Sequence, residues 1–320
     1  MARSDLIIDL VDAHRRGDAE RFRALVEAII AEERSNQHHL VADRLAELIT
    51  TSGSTDLFVR DEAKRQMSDL VYEVIPRRRL ADLQLDKTVL TAASELIEEH
   101  RRVDLLRSHG IEPRSRVLLE GAPGNGKTSL AEAIAAEIMV PLYTIRYEGA
   151  VSSFLGETAA RIDRVFEFAR TRRCVLFFDE FDTIAKERAD THETGEIKRV
   201  VSTLLLQIDR LPSHVILVCA TNHGELLDRA TFRRFQLRLT LNAPTRAQAA
   251  AFLQRLCTRL GGGLGLAPRT LADRLAGASY AELEEFAQDV RRRYVLTLPN
   301  ADLRAIARSR LEQWRTQPHE

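Results

Sequence analysis

Apolar residues recur along this chain with two different periods, and the change of period divides the chain into three segments. From residue 1 to about 75 they are spaced as on amphipathic helices, among many charged positions. Three apolar stripes of this kind cover residues 6–11, 22–30 and 40–49. The pattern predicts an all-helical N-terminal domain over residues 1–75, which ends where Pro76 is followed by three arginines.

The second segment, residues 76–245, consists of short apolar runs that alternate with helical patterns. Five runs have the length of buried strands: 116–120, 142–146, 174–178, 215–219 and 237–241. Alternation of strand and helix predicts an α/β domain with a five-stranded, mainly parallel sheet sandwiched by helices. Ligands of such sheets bind at the carboxyl ends of the strands.

The third segment, residues 246–320, returns to the helical period and predicts a small helical domain. The glycine-rich run at 261–265 separates two of its helices. Ser279 and Glu282 have the spacing of a capping box, in which each side chain bonds the other residue's backbone N–H at the start of a helix.

Charge and cysteine content narrow the function classes. The formal net charge is zero and the pI is about 7.2, which argues against a protein dominated by nucleic-acid electrostatics. The three cysteines are far apart in apolar surroundings, as reduced core residues are. Because there is no signal peptide and no apolar stretch of membrane-spanning length, we expect a soluble cytoplasmic protein without membrane contact.

The run GAPGNGKT at 121–128 has the form G-x-x-x-x-G-K-[ST] and lies between a predicted strand and a predicted helix. This arrangement predicts a nucleotide site, because backbone N–H groups and the helix N-terminus there attract phosphate. Lys127 can reach the β- and γ-phosphates, and the Thr128 hydroxyl can bind Mg²⁺. The residues predicted to bind the nucleotide are Gly121, Ala122, Pro123, Gly124, Asn125, Gly126, Lys127, Thr128 and Ser129, together with Asp179.

Two polar motifs at the ends of later strands predict hydrolysis of that nucleotide. In LFFDEFD, residues 176–182, Asp179 is placed to hold Mg²⁺ and Glu180 to act as general base toward water. Asn222 ends the next strand, where its amide could orient the attacking water. A turn asparagine is an equally good interpretation of Asn222 from spacing alone.

Arg233 and Arg234 precede the last predicted strand and are candidates for arginines that act on a neighbouring subunit's nucleotide. A guanidinium supplied in trans can accelerate phosphoryl transfer by roughly 10³–10⁵. Ordinary surface charge is the alternative interpretation of this pair.

Together these motifs closely resemble the AAA branch of the AAA+ ATPases, of the bacterial protein-remodelling type, over residues 80–295. GAPGNGKT resembles Walker A, LFFDEFD resembles Walker B and ATN at 220–222 resembles sensor 1. LDRATFRRF resembles the region with the family's arginine fingers, although a Pro-Gly insertion between the two arginines is missing. Arg234 is the better match to one of the family's two fingers, and Arg233 is the candidate for the second. The resemblance implies a P-loop NTPase sheet followed by a helical lid, with ATP and Mg²⁺ as cofactors.

Two further segments refine the resemblance. SFLGE at 153–157 resembles the family's pore loop, which implies that Phe154, Leu155 and Gly156 grip a protein substrate in the channel of a hexamer. A buried Phe-Leu pair is the alternative. Ala281 stands where other AAA+ branches carry a sensor 2 arginine. The segment at 78–89 lacks the Ile-Gly pair that the family often uses near adenine, so the adenine contacts stay open.

The function predicted from these features is that of a ring-forming ATPase that remodels or unfolds proteins by threading them through a central pore. Expected partners are further copies of the chain in a homo-oligomer, most simply a hexamer, and a protein substrate. Residues 1–75 would select an adaptor, the substrate or a separate protease. The alternatives are a nucleic-acid motor or loader, and a switch whose ATP state only controls assembly.

Overall fold

The computed structural model describes residues 9, 13, 19–35, 70–145, 155–182 and 195–316. The chain divides into two compact units, Met1–Ser68 and Asp69–Glu320. In the first unit, helix α1 (Ala19–Ser35) buries Val26 and Ile30, which lie one turn apart on the same face. The apolar stripes predicted at 6–11 and 40–49 lie outside the described residues.

The second unit is built on a six-stranded sheet with the order β1-β3-β4-β5-β2-β6. All neighbouring strands are parallel except β1, which pairs antiparallel with β3. The strands are β1 (Val71–Val74), β2 (Arg116–Glu120), β3 (Leu142–Ile145), β4 (Cys174–Phe178), β5 (Val215–Thr221) and β6 (Leu237–Thr240).

The prediction of five strands is corrected by β1. Val71–Val74 lie within the segment that was predicted to be helical, yet they pair with β3 at the edge of the sheet. Val71 is buried, whereas Tyr72 and Glu73 are exposed. Four residues are too few to establish a period of two, and the pairing that orders them comes from a strand about 70 residues later in the chain.

Within the described residues of this unit, eight helices precede residue 280. They are α2 (Lys87–Arg101), α3 (Val103–Ser108), α4 (Lys127–Glu137), α5 (Leu155–Arg170), α6 (Gly195–Arg210), α7 (Arg229–Phe232), α8 (Arg246–Arg259) and α9 (Pro268–Arg274). Two more, α10 (Tyr280–Leu296) and α11 (Leu303–Thr316), complete the described part of the chain. Short 3₁₀ turns occur at Leu80–Asp82 and Gly224–Leu226.

Both faces of the sheet are buried, as the apolar runs require. On one face, α2 and α4 pack Leu96, Leu130 and Ile134 against side chains of the strands such as Phe177 and Val218. Successive strand residues point to opposite faces, so Tyr143 faces away from Leu142, a member of that cluster. The Tyr143 ring meets Phe168 of α5 edge-on at 5.0 Å, which places α5 on the other face.

Helices α8 to α11 enclose a second apolar core. Leu253, Leu271, Leu283 and Phe286 are buried in it, and Ala307 of α11 is also fully buried. The capping box predicted at the start of α10 is present: Ser279 Oγ accepts from the Glu282 N–H, and the Glu282 carboxylate accepts from the Ser279 N–H at 2.6 Å. The domain boundaries at 75/76 and 245/246 stay predictions.

Candidate functional site

The glycine-rich loop connects β2 to α4 at the carboxyl edge of the sheet. Gly121, Gly124 and Gly126 all have positive φ angles, of 143°, 77° and 90°. Gly126 is the N-cap of α4, which begins at Lys127. The loop therefore leads directly into the end of a helix where unpaired N–H groups attract anions.

Lys127 is buried, and its ammonium group is held by three oxygen acceptors. It donates to the Gly121 and Ala122 carbonyls at 2.6 and 3.2 Å, and to Asn222 Oδ1 at 2.7 Å. Burial lowers the pKa of Lys127, and the charges of Asp179 and Asp182 partly oppose that shift. The structure thus brings the predicted Lys127 and Asn222 into direct contact.

The acidic pair follows β4 directly. Asp179 is half-buried and Glu180 is exposed, and both line the same cleft as the glycine-rich loop. Glu180 has a φ angle of 51°, which is costly for a residue other than glycine, and its N–H donates to Asp179 Oδ1 at 3.0 Å. The Asp179 carboxylate thus helps to hold the backbone of Glu180 in this unusual conformation.

Two buried residues that sequence reasoning missed join the ends of β4 and β5. The Thr221 hydroxyl donates to Asp182 Oδ1 at 2.9 Å and accepts from the His223 N–H at 3.0 Å. Thr221 and His223 flank Asn222, so these bonds fix the backbone on both sides of that amide. The signal in the sequence was the third carboxylate of LFFDEFD and the hydroxyl that precedes Asn222.

The loop, the acidic pair and Asn222 line one cleft of about 900 Å³. This volume is near the upper end of the range for small-molecule sites. Residues from six parts of the chain form its walls: Arg77, Arg78, 81–85, 123–129, Asp179, Glu180, Asn222, Phe252, Arg255, Leu256, Arg259, Tyr280, Ala281 and Glu284. The sequence left the adenine contacts of the segment at 78–89 open, and it did not assign α8 to the site.

One end of the cleft is mainly apolar. Leu83 and Leu85 lie there with Phe252 and Tyr280, whose rings meet edge-on at 5.1 Å. Burial raises the pKa of Tyr280 to about 12. A flat apolar group such as a nucleotide base suits these surfaces. Residues 81–85 line the cleft although this part of the chain lacks the Ile-Gly pair.

Hydrogen bonds connect the C-terminal helices to both walls of this cleft. The Ala281 N–H donates to the Gly124 carbonyl at 3.0 Å, which joins α10 to the glycine-rich loop. Arg255 donates to Gln84 Oε1 at 2.6 Å, which joins α8 to the 81–85 segment. The C-terminal helices are therefore hydrogen-bonded to the glycine-rich loop and to the 81–85 segment, which both line the cleft.

Arg233 and Arg234 follow α7 and differ in their surroundings. Arg233 is exposed. Arg234 pairs with Asp209 at 3.1 Å and donates to the Ala230 carbonyl at 2.8 Å. Neither arginine lines the cleft of its own protomer.

The predicted pore-loop residues lie on both sides of residue 155, where one of the described ranges begins. Phe154 lies outside the described residues. Leu155 and Gly156 belong to the first turn of α5, which begins at Leu155.

The residues at the phosphate end fit Mg²⁺. Thr128 offers a hydroxyl and Asp179 a carboxylate, which are the hard oxygen ligands that this ion prefers. In the described part of the chain, no group of three or more His, Cys, Asp or Glu residues could hold a metal ion. An ion bound through one or two protein oxygens and the nucleotide's phosphates needs no such group.

No helix among the described residues is both long and apolar enough to cross a membrane. The predicted cytoplasmic location stays a prediction.

Comparisons with known proteins agree on one family. The family model described as "ATPase family associated with various cellular activities (AAA)" matches residues 117–243. The chain is similar to "Uncharacterized AAA family ATPase y4kL" of Sinorhizobium fredii, with 37% identity over 89% of this chain and 87% of that protein.

Two eukaryotic ATPases are also similar to parts of the chain. The "Peroxisomal ATPase pex6" of Schizosaccharomyces pombe is 32% identical over 66% of this chain and 23% of its own length. The "Ribosome biogenesis ATPase RIX7" of Saccharomyces cerevisiae is 36% identical over 49% of this chain and 20% of its own length. The chain thus spans less than a quarter of either protein.

Proposed function

This chain belongs to the AAA family of ATPases, and we propose that it couples Mg²⁺-dependent hydrolysis of ATP to the remodelling of protein substrates. The observation that carries the proposal is the convergence of Lys127, Asn222, Asp179 and Glu180 on one cleft behind the glycine-rich loop. A site that only bound nucleotide would need neither the second carboxylate nor the amide at that position.

Each residue has a distinct task in this proposal. Lys127 exchanges its carbonyl and amide acceptors for the β- and γ-phosphate oxygens of ATP. Asn222, released from that bond, orients a water molecule, and Glu180 accepts the water's proton as it attacks the γ-phosphate. Mg²⁺ held by Thr128 and Asp179 would neutralise charge that develops on the phosphate oxygens.

Assembly into a ring completes the site. Arg233 and Arg234 lie away from the cleft of their own protomer, so they act on the nucleotide of a neighbouring copy. A hexamer is the expected ring. A guanidinium that arrives only on assembly makes turnover depend on protein concentration.

Protein remodelling is the work proposed for this ring. The support is the likeness of SFLGE to a pore loop and the similarity to ATPases named for peroxisomes and for ribosome biogenesis. Phe154 contacts an extended polypeptide through apolar area, largely independent of the polypeptide's sequence. Residues 1–75 select the substrate, an adaptor or a protease.

The test uses Glu180→Gln, which should bind ATP without hydrolysing it. The variant is isolated from its native cell with ATP and Mg²⁺, its mass is measured by light scattering, and co-purifying molecules are identified by mass spectrometry. Lys127→Ala, which should not bind nucleotide, is the matched control. A mass near six subunits with bound polypeptide that is absent from the control supports the proposal.

Other outcomes contradict particular parts of it. A Glu180→Gln monomer without bound protein favours the assembly switch, and bound nucleic acid favours a nucleic-acid motor. Phe154→Ala should retain basal ATPase activity and lose work on the captured substrate, whereas Phe154→Tyr should retain both. Loss of basal activity and thermal stability in Phe154→Ala would instead identify Phe154 as a core residue.

A further inference from the structure

Arg78 is a guanidinium in the nucleotide cleft that none of the family motifs includes. It lies in the segment before the first 3₁₀ turn and lines the cleft together with the glycine-rich loop. Its Nη1 donates to Ser129 Oγ, and Ser129 is the third residue of α4. The side chain therefore reaches the end of α4 where N–H groups have no partner within the helix.

The backbone at Arg78 is fixed by a second residue of α4. Glu132 Oε1 accepts from the N–H groups of Arg77 and Arg78 at 2.9 and 3.1 Å. The Glu132 side chain is only 18% exposed, whereas that of Arg78 is 49% exposed. The base of the arginine is thus held to the helix while its charged end is accessible from the cleft.

Arg78 and Lys127 approach the phosphate site from different sides. Successive helix residues are about 100° apart, so Lys127 and Ser129 point to nearly opposite sides of the first turn of α4. Lys127 is directed to Asn222, on the side of the acidic pair. Ser129 and Arg78 are consequently on the other side of this turn from Asn222, where the chain continues from Arg78 into the 81–85 wall of the cleft.

Two of the other three arginines that line the cleft belong to α8 and are already paired with protein acceptors. Arg255 donates to Gln84 and Arg259 pairs with Glu284. Arg78 has five N–H donors, and the Glu132 carboxylate lies 3.9 Å from its Nε. Across the cleft, Ala281 contributes no charge. Arg77 also lines the cleft, but the Arg78 guanidinium already bonds Ser129 in the first turn of α4. Among the described residues of the wall, Arg78 is therefore the guanidinium best placed to bind an anion at that helix end.

We propose that Arg78 binds the α-phosphate of the nucleotide, from within the same protomer. The inference rests on the proposed ATP site and adds a ligand at the end of the phosphate chain that joins the nucleoside. Lys127 and Arg78 then hold opposite ends of one polyphosphate. Because ADP and ATP share the α-phosphate, Arg78 strengthens binding of both and does not distinguish between them.

Arg78→Ala tests the proposal, and Arg79→Ala is the matched control. Arg79 has the same charge and is next in sequence, but it does not line the cleft. Binding of ADP to each protein is measured by calorimetry or by fluorescence of a labelled ADP. Arg78→Ala should weaken ADP binding about tenfold, as expected for loss of one charge-assisted hydrogen bond, and Arg79→Ala by less than about twofold.

A second measurement locates the contact on the nucleotide. Sulfur is substituted for a non-bridging α-phosphate oxygen of ADP, and both diastereomers are titrated. At least one should bind the wild-type protein more weakly than ADP does, and that penalty should shrink in Arg78→Ala. Equal penalties in the two proteins, or unchanged ADP affinity in Arg78→Ala, would overturn the proposal.

Failure of this inference is distinguishable from failure of the proposed function. If the wild-type protein binds neither ADP nor ATP, the nucleotide site itself is wrong. If it binds both and Arg78→Ala binds them equally well, only the role of Arg78 is wrong. Arg78→Ala should fold normally, because the bonds from Glu132 go to backbone N–H groups, and an unchanged melting temperature checks this.

Discussion

Thr221 donates a hydrogen bond to Asp182 at 2.9 Å, and both residues are buried. The bond joins the end of β5, which carries Asn222, to the acidic segment after β4, which carries Asp179 and Glu180. A buried charged acceptor makes such a bond stronger than one between neutral groups. The relative placement of the amide and the general base in the proposed reaction therefore depends on a pair that does not line the cleft.

We expect Thr221→Val to lower turnover more than nucleotide binding. Valine keeps the size of threonine but removes the hydroxyl, so Asn222 loses the bonds that fix its flanking backbone. The expected loss in kcat is about tenfold to a hundredfold, as for a small misplacement of reacting groups, with ATP affinity within about twofold. Single-turnover hydrolysis and equilibrium binding of ATP measure the two effects.

Thr221→Ser is the control for that experiment, because it restores the hydroxyl on a smaller side chain. It should recover most of the lost turnover. Asp182→Ala, which removes the acceptor, should reproduce the Thr221→Val loss of turnover, whereas Asp182→Asn, which keeps an acceptor oxygen, should lose less. Wild-type kcat in Thr221→Val would show that Asn222 is positioned by other contacts.

Nucleotide affinity should fall as the pH rises in the alkaline range. Burial lowers the pKa of Lys127 below the ordinary lysine value of 10.5, so its ammonium loses the proton at a lower pH than an exposed lysine would. Phosphate favours the charged form, and the pKa of Lys127 therefore rises on binding. The bound protein holds more protons than the free protein in this window, so binding takes up a proton.

Calorimetric titration with ADP in two buffers of different ionisation enthalpy measures that proton uptake. Tyr280, the cleft residue whose pKa is raised to about 12, stays neutral throughout the window. Proton release on binding, or affinity that is constant with pH, would contradict the assignment to Lys127.

Arg233→Ala should abolish turnover in the assembled protein without weakening ATP binding. The Arg233 side chain is exposed, whereas Arg234 is already bonded to Asp209 and to a backbone carbonyl. This difference favours Arg233 as the residue that reaches a neighbour's nucleotide. The expected loss of turnover is roughly 10³-fold or more.

Mixed assemblies test whether that arginine acts in trans. Subunits with Arg233→Ala and subunits with Glu180→Gln are each inactive alone. When they are mixed, some junctions pair an intact Arg233 with an intact Glu180, and turnover should reappear. No recovery on mixing, or equal activity of Arg233→Ala and wild type, would show that the finger lies elsewhere.

Gly121→Ala should destabilise the protein more than Gly126→Ala. Both glycines have positive φ, but a Cβ on Gly121 would lie 2.2 Å from the Leu241 carbonyl oxygen, whereas one on Gly126 would meet nothing within 4 Å. We expect a loss of about 3 kcal/mol for Gly121→Ala from overlap with the backbone. Gly126→Ala should lose about 1 kcal/mol from the left-handed conformation alone.

Thermal unfolding without nucleotide compares these two variants, because it removes any contribution of phosphate binding. Equal melting temperatures would mean that the backbone around Leu241 moves freely to accept the methyl group.

The central strands could be predicted from the sequence because they are buried on both faces. All residues of β4 and β5 are buried, so the apolar runs alone locate them. The predicted end of β5 was two residues early, because Thr221 is polar yet buried through its bond to Asp182. The edge strand β1 depends on a distant partner and has no such run.

Only part of the cleft could be predicted from the sequence, because some of its residues are placed by contacts between distant segments. The glycine-rich loop, Asp179 and Asn222 follow strands that end at the same edge of the sheet, so their proximity follows from the topology. Arg78, Leu83 and Phe252 are brought to the cleft by packing of the segments before α2 and after β6. No local pattern in the sequence records that packing.

The bond from the Ala281 N–H to the Gly124 carbonyl makes one amide proton a reporter of the phosphate loop. That proton should exchange slowly with deuterium while the loop and α10 stay together, and faster whenever they separate. Comparing its exchange in the free protein, with ADP and with ATP would follow each opening of the cleft. The motion of the C-terminal helices could thereby be timed in solution without attaching any label.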